Sequence, residues 1–489
     1  MRALIVVSNP KHWPLHIPGV EVVPARSYLT DPKYYAMRGV RVFNLCRSYR
    51  YQSVGYYVSL LAAARGHKPL PSIATIEDMK SLSIVRLVSE DLEELIQGAF
   101  THHQGDRFTL SVYFGHNLAK RYDRLSWRLF SLFQAPFLRA EFTRENGQWQ
   151  VRSISPIPAK EIPQTHHPFV IERATEYFAE QPSRLSKRWV PRYDMAILVN
   201  PDDETRPSND RAINKFIRAA RRLDIDAEVI QKDDYGALPQ FDALFLRETT
   251  AVNHHTYRFA RRAWAEGLVV VDDPESIARC SNKVYLAELL ERHDIPKPRT
   301  LIVHRDNRES VLHAIGLPCV LKKPDSSASQ GVFKAEDEAA LRDHIDHLLE
   351  ESDLIIAQEF LPTSFDWRVG VFDRKPLYVC QYYMAPRHWK IQHKDGSGRT
   401  HYGKAHTLAI ENAPRSVVAA ALRAANLIGD GLYGVDIKQV GRKLYVIEVN
   451  DNPSIDAGVE DDVLKDDLYD AIMRIFLNRL EQGKEARSR

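Results

Sequence analysis

The stretch Tyr433–Ile455, YGVDIKQVGRKLYVIEVNDNPSI, decides the fold. It reads as two strands joined through Gly441-Arg442, with Asp436 on the first and Glu448 and Asn450 on the second. Side chains two apart on a strand share a face, so Glu448 and Asn450 point together and three oxygen-bearing side chains converge across the hairpin. Hard oxygen donors of this kind suit magnesium, whose remaining positions are usually filled by water and nucleotide phosphates. The competing reading is a solvated hairpin whose charges do nothing. The flanks Leu444, Tyr445, Val446, Ile447 and Val449 are apolar, and an idle carboxylate buried among them would be costly, so the metal reading is the stronger.

Working upstream, PCVLKKPDSSASQGV (Pro318–Val332) ends a strand in the pair Lys322-Lys323 and continues into small residues, among them Ser327 and Gly331. Such a loop lets backbone N–H groups approach phosphate oxygens, and a lysine at the strand end adds a point charge. A serine-rich loop is also commonly just a turn. Lys283 lies in a helical stretch, CSNKVYLAELLERHDIPKPRT, where a single lysine is ordinarily solvated surface. In LIIAQEFLPTSFDWRVG an apolar strand ends in Gln358-Glu359-Phe360, an extended segment whose backbone suits an adenine edge. Asp366 suits a ribose hydroxyl, and Arg368 a phosphate or a carboxylate. None of these is decisive alone, but in this order they reinforce one another as a nucleotide site.

Two decoys fall away. GDGLYG (Gly429–Gly434) satisfies the spacing G-x-G-x-x-G, but it follows a helix and enters a strand, the reverse of the dinucleotide fingerprint, so NAD binding is rejected. The pairs His102-His103, His166-His167 and His254-His255 are adjacent in sequence and cannot share a helix face, so they read as surface or core histidines rather than metal ligands. No Ser-His-Asp or Cys-His arrangement points to a covalent nucleophile.

The chain of 489 residues is long enough for several domains. With 44% hydrophobic and 27% charged residues it is globular, and a net charge of +3 announces neither a nucleic-acid nor a membrane surface. Cys46, Cys280, Cys319 and Cys380 form no CxxC pair, which argues against structural zinc and a disulfide framework and suits a reducing cytoplasm. The apolar run Leu4–Val7 is strand-like and closed by Ser8-Asn9-Pro10; neither a signal peptide nor a transmembrane helix is expected. The fold class is α/β and α+β multidomain, in three parts. Residues 1–186 form an α+β domain with a helix within Tyr51–Pro69 that uses Val54, Val58, Leu61 and Ala62 as its inward face, and a hairpin turning at Glu145-Asn146-Gly147. Residues 190–275 alternate strand and helix as a small parallel sheet, and residues 276–483 combine antiparallel hairpins with helices, closing on an amphipathic helix with Leu468, Ile472, Ile475, Phe476 and Leu480 inward.

These motifs together resemble the ATP-grasp superfamily, specifically its RimK-type glutamate ligase branch, over about Arg192–Leu480. FDALFLRETT resembles the branch's pre-ATP-grasp strand, SNKVYLAELLERHDIPKPRT its lysine-bearing helix, and VLKKPDSSASQGV, QEF, DWR, GVDI and EVNDNPS follow in matching order. The resemblance implies that Lys283 and Lys322 hold nucleotide phosphates, that Glu359 and Phe360 meet adenine and ribose, that Asp366 meets the ribose, and that Asp436, Glu448 and Asn450 hold two magnesium ions, for which manganese can substitute. Arg368 matches the family's D-x-R arginine and, with Lys322, is assigned to catalysis; the spacing from Lys322 to Gly331 selects Lys322 over Lys323. NLCRSYRYQSVGYYVSLLAAARGHKPLPS resembles the extra N-terminal domain found ahead of some RimK-like ATP-grasp proteins. The chain departs from the branch in a phosphate loop with one glycine and in MAPRHWKIQHKDGSGRTHYGK, which does not align with the later basic loop.

The implied activity is ATP-dependent carboxylate–amine ligation through an acyl phosphate, releasing ADP and phosphate, with an amino acid, peptide or protein tail among the substrates and a homo-oligomer as the common family assembly. The alternatives are an ATP-grasp kinase acting on a small molecule and a nucleotide-responsive protein-binding scaffold. In the N-terminal part, Arg47, Arg50 and the tyrosines of RSYRYQSVGYY (Arg47–Tyr57) form either a surface for an acidic or peptidic acceptor or, on the plainer reading, core tyrosines beside solvated arginines.

Overall fold

Apolar alternation and helical spacing take turns along the chain, and the computed structural model resolves them into two units, residues 1–190 with Asp233–Gln240 and residues 191–232 with 241–489. Residues 1, 38, 181–190, 204–205, 326–330, 387, 395–399 and 489 are not among those described.

In the first unit the strands β1 (Arg2–Val7), β2 (Glu21–Pro24), β3 (Val40–Asn44) and β4 (Lys68–Leu70) form a parallel sheet in the order β2-β1-β3-β4. The strands β5 (Arg107–Tyr113), β6 (Phe137–Glu145) and β7 (Gln148–Pro156) form an antiparallel one. The β6–β7 turn sits at Asn146 and Gly147, both with positive φ (51° and 82°), the conformation an Asn-Gly hairpin turn requires. The helix Val54–Ala64 is capped by Ser53, whose hydroxyl accepts from the Tyr56 amide, and it buries Gly55, Val58, Ser59 and Ala62. Its inward face is thus rotated from the expected one, because a Cβ at position 55 would meet the Ser48 carbonyl oxygen at 2.3 Å and only glycine lets the helix approach that closely. Val54 is left outside. Of the tyrosines nearby, Tyr49 is buried, whereas Tyr51 (71% exposed) and Tyr57 are exposed and pack edge to face with Tyr56 on the surface beside the exposed Arg47 and Arg50. The segment Asp233–Gln240 belongs with this unit: Arg128 pairs with Asp233 at 2.7 Å, and Arg41 donates to Gln240 Oε1.

The second unit opens with β8 (Tyr193–Leu198), β9 (Ile225–Ile230), β10 (Ala243–Leu246) and β11 (Val269–Val271), an all-parallel sheet in the order β11-β10-β8-β9. Two antiparallel sheets follow. The first contains β12 (Thr300–Val303), β13 (Cys319–Lys322), β14 (Val332–Ala335) and β15 (Ile355–Glu359) in the order β12-β15-β13-β14. The second contains β16 (Phe365–Phe372), β17 (Lys375–Tyr383), β20 (Ala405–Leu408), β21 (Leu432–Val440) and β22 (Lys443–Asp451) in the order β20-β17-β16-β21-β22; the small pair β18 (Gln392–Lys394) and β19 (Thr400–Tyr402) stands apart. The closing helix Asp466–Ser488 packs on the parallel sheet, where Leu468, Tyr469, Ile472, Met473 and Phe476 join Met195, Ile197, Phe216 and Phe245 in one core.

The five-stranded sheet has two unlike faces. Trp367, Val369, Val371, Val379, Val435, Ile437, Val446 and Val449 join the helices Lys283–Arg292 and Arg415–Ile428 in an apolar core. Pure alternation would not put Val446 and Val449 on one side, since they are three apart. The pairing Asp436↔Glu448 followed by Ile437↔Val446 explains it: Ile447 is an extra residue, a bulge that keeps Val446 in the core while turning Glu448 to the other face. The four cysteines are buried and free, and no helix among the described residues is long and apolar enough to cross a membrane.

Candidate functional site

The non-core face of this sheet collects the charged side chains. Arg368 lies across from Asp436 in the β16–β21 ladder, and Asp436 across from Glu448 in the β21–β22 ladder. The guanidinium of Arg368 forks onto Asp436, Nε to Oδ1 at 2.7 Å and Nη2 to Oδ2 at 2.6 Å, with both groups largely buried. Asn450 Nδ2 donates to Asp436 Oδ2 at 3.1 Å and to the Gly434 carbonyl at 3.3 Å, so its Oδ1 is not used in either bond. Gly434 is a close approach: a Cβ there would stand 2.7 Å from the Pro453 side chain and 3.4 Å from the Arg368 stem.

Lys283 meets this face from above. Asn282 caps the helix Lys283–Arg292 by accepting from the Val284 and Tyr285 amides, and the Lys283 amide donates to the Pro324 carbonyl at 2.8 Å. The Lys283 ammonium then sits 2.8 Å from Glu448 Oε1. Burial works to raise the Glu448 carboxyl, but Lys283 and Lys322 outweigh it and hold the group below its ordinary value. Lys322, the last residue of β13, gives its ammonium to Gln358 Oε1 at 2.8 Å, and Gln358 Nε2 in turn donates to Thr300. Burial pushes Lys322 down to about 8; Glu448 opposes this while Lys283 and Lys438 add to it. Lys323 turns the other way and pairs with Glu351 at 2.8 Å.

The remaining expected residues are distributed as follows. Gly331 has φ +64° and its carbonyl accepts from the Lys323 amide; Ser327 lies outside the described residues. Glu359 is held by Arg299, whose amide and Nε reach its two oxygens at 2.9 and 2.8 Å. Phe360 lies under the Lys334 ammonium at 4.3 Å and edge to face with Trp389. The Asp366 carboxylate accepts from Thr363 at 2.9 Å and from Lys438 at 2.6 Å. The face therefore brings together Asp366, Arg368, Asp436, Glu448 and Asn450 with Lys283, Lys322 and Gln358, while Glu359 and Phe360 continue from the end of β15.

Lys438 was not among the expected site residues, although it stands two places after Asp436 and so on the same face. Arg247 was also missed: it is fully buried and donates to Ser208 Oγ, Asn452 Oδ1 (2.7 Å) and the carbonyls of Pro207 and Pro453, tying the end of β22 to the parallel sheet. Nothing local in FLRETT distinguishes that arginine from a solvated one.

The donor set of Asp436, Glu448 and Asn450 is all oxygen and fits a magnesium-type cation, with Asn450 Oδ1 and one Glu448 oxygen outside the contacts above and Asp436 already shared with Arg368. The model of the RimK-like ATP-grasp N-terminal domain matches residues 25–173, and that of the RimK-like ATP-grasp domain matches residues 280–472. Among curated proteins, a "Probable alpha-L-glutamate ligase" of Vibrio vulnificus (strain YJ016) is 29% identical over 233 residues, 47% of this chain and 74% of that protein. The "Alpha-aminoadipate--LysW ligase LysX" of Sulfolobus acidocaldarius is 27% identical over 241 residues, 46% of this chain and 83% of that protein. Among solved structures, a RimK domain ATP-grasp protein from Sphaerobacter thermophilus aligns with a TM-score of 0.44 and 19% identity, over 57% of this chain and 98% of that one. The chain therefore carries a RimK-like ATP-grasp N-terminal domain over residues 25–173 and a RimK-like ATP-grasp domain over residues 280–472.

Proposed function

We propose that the protein is an ATP-dependent carboxylate–amine ligase. The observation that carries this reading is the convergence of Lys283, Lys322, Arg368 and Lys438 with Asp366, Asp436, Glu448 and Asn450 on one sheet face, a place where polyanionic phosphate and a cation are both accommodated. Lys283 and Lys322 offset the charge on the phosphates, and the backbone at Gln358–Phe360 takes the adenine side. Magnesium would be held by Asp436, Glu448 and Asn450 and would supply further neutralisation of phosphate charge.

The reaction is a two-step displacement. A carboxylate oxygen of the donor attacks the γ-phosphorus, the bond to the bridging oxygen breaks and ADP leaves. Charge spreading over the transferring phosphoryl oxygens is met by Lys322 and Arg368. The amine nitrogen then attacks the acyl carbon, the carbon–oxygen bond to phosphate breaks, and the nitrogen loses its proton as the amide forms. The relatives named for glutamate and α-aminoadipate ligation point to an acidic amino acid as one substrate.

Hydroxylamine trapping tests the reading. With ATP, magnesium and the donor acid, the protein is expected to form a hydroxamate along with ADP. ADP formation on an alcohol acceptor with no hydroxamate from any acid would instead make it a kinase, and the absence of ADP release with every amino acid and peptide would make it a binding scaffold.

A further inference from the structure

A second cluster lies on the parallel sheet. Glu248 follows the end of β10, and the loop after it leads to His254 and His255 at the start of the helix His255–Ala265. Glu248 is 1% exposed, and neither of its carboxylate oxygens makes a hydrogen bond. A desolvated carboxylate in that condition is expensive. Its Oε1 stands 2.5 Å from Nε2 of His255, yet that nitrogen makes no hydrogen bond either. The two atoms thus stand at ion-pair distance without a hydrogen bond between them.

His254 supplies a third atom. Its ring lies 3.9 Å, centroid to centroid, from that of His255. Its Nδ1 is 3.0 Å from the Thr256 hydroxyl, which spends its own proton on the Thr249 carbonyl. The hydroxyl can then only accept from Nδ1–H, which leaves a lone pair on Nε2. Ligand atoms of Glu248, His254 and His255 all lie within 4.8 Å of one another.

We propose that Glu248, His254 and His255 bind a first-row divalent transition-metal ion of the zinc class, at a site separate from the oxygen set of Asp436, Glu448 and Asn450. Two imidazoles and a carboxylate are the donors such ions prefer over magnesium. Ligands about 2.1 Å from a common ion stand roughly 3–3.5 Å apart, so this cluster needs only a small outward movement of Glu248 and His255 to receive one. Thr256 plays the orienting part that a hydrogen-bond partner plays behind a metal-bound histidine. The loop is fixed as well: Thr250 donates to Asp451 Oδ2 at 2.6 Å, and Asn452 Nδ2 donates to the Glu248 carbonyl at 2.6 Å. Both histidines are only half-buried, so an ion with three protein ligands keeps a position open to water or a small ligand.

The test uses the full chain, freed of metal with a chelator and held in excess magnesium to saturate the oxygen set. Titration with cobalt(II) is expected to reach one equivalent, with visible absorption unlike that of the hydrated ion, and zinc is expected to displace it. Glu248→Gln and His254→Asn should each weaken cobalt binding by roughly tenfold or more, whereas Glu448→Gln should leave it unchanged. Should Glu248→Gln fail to fold, as judged by circular dichroism, His254→Asn at its half-exposed position carries the comparison. A wild-type spectrum no different from hydrated cobalt, or the same titration in wild type and His254→Asn, overturns the site. Either outcome leaves hydroxamate formation, and with it the ligase reading, to be judged on its own.

Discussion

At the residue scale the two adjacent lysines at the end of β13 separate cleanly. Burial holds Lys322 at about 8, so its ammonium form is present at neutral pH and is lost as pH rises past that value. Phosphate binds the ammonium form and raises its proton affinity, so above about pH 8 each binding event must also take up a proton. ATP affinity measured by calorimetry is therefore expected to be level from pH 6 to 7.5 and to fall above pH 8, approaching tenfold per pH unit. Lys322→Met should bind ATP weakly and without that pH dependence, while Lys323→Met, whose side chain pairs with Glu351, should bind nearly as the wild type does; the reverse order would mean that Lys323 is the lysine at the phosphates. Glu448→Gln keeps the shape but removes the charge that Lys283 pairs with, and is expected to abolish nearly all turnover with the fold retained. The convergence of Asp436, Glu448 and Asn450 on one face was legible because an apolar hairpin gives such polar side chains little other reason to be there. Lys438 was open to the same alternation argument but its partners Thr363 and Asp366 lie on another segment, and Arg247, just beyond β10, shows its partners only once distant segments are brought together.

At the element scale the alternation of strand and helix in residues 190–275 and the long hairpin strands of Tyr433–Ile455 followed from periodicity, whereas the helix Glu338–Glu351 and the short strands β14 and β20 did not. What periodicity could not supply were the irregularities. The bulge at Ile447 has no sequence mark, being one more apolar residue in an apolar strand, yet it decides which face Glu448 serves. The parallel sheet of the N-terminal unit was equally hidden: β2 and β4 are four and three residues long, too short to show a pattern. One element boundary bears directly on function. Asn282 accepts from two amides at the start of the helix Lys283–Arg292, which fixes the first residue of that helix over Glu448. Asn282→Ala removes the cap and is expected to cost about 1 kcal/mol of stability and to raise the KM for ATP several-fold. Asn282→Asp, which caps equally well, should recover the stability; if the alanine variant matches wild type in both measurements, the cap does not position Lys283.

At the scale of the whole molecule, the second unit is held together by buried polar links that run between segments far apart in sequence, and Glu460 is one of them. It lies between β22 and the closing helix, 2% exposed, accepting from the Tyr382 hydroxyl and from the Asp456 amide at 2.6 Å, and the Tyr382 ring in turn lies 5.2 Å beneath the Arg368 guanidinium. No reading of the sequence pairs a carboxylate after EVNDNPS with a tyrosine in PLYVCQYY, because the link exists only after β17 and that loop have met. Burial raises the Glu460 carboxyl from 4.5 to about 7, against the pull of its two hydrogen bonds toward the charged form. Below pH 4.5 the group is protonated in both folded and unfolded chains and has no effect on the balance. Between 4.5 and 7 the unfolded chain ionises while the folded one does not, so the unfolded chain binds fewer protons and stability falls as pH rises. The full difference is roughly 3 kcal/mol, at about 1.4 kcal/mol per pH unit. Glu460→Gln keeps a group able to bond Tyr382 and the Asp456 amide but cannot ionise. Unfolding of the wild type by urea should therefore require distinctly less denaturant at pH 7.5 than at pH 5, and the variant should show a smaller decline over the same interval. Parallel declines in the two proteins would mean that Glu460 is already ionised in the folded chain at pH 5, and that its hydrogen bonds with Tyr382 and Asp456 outweigh its burial.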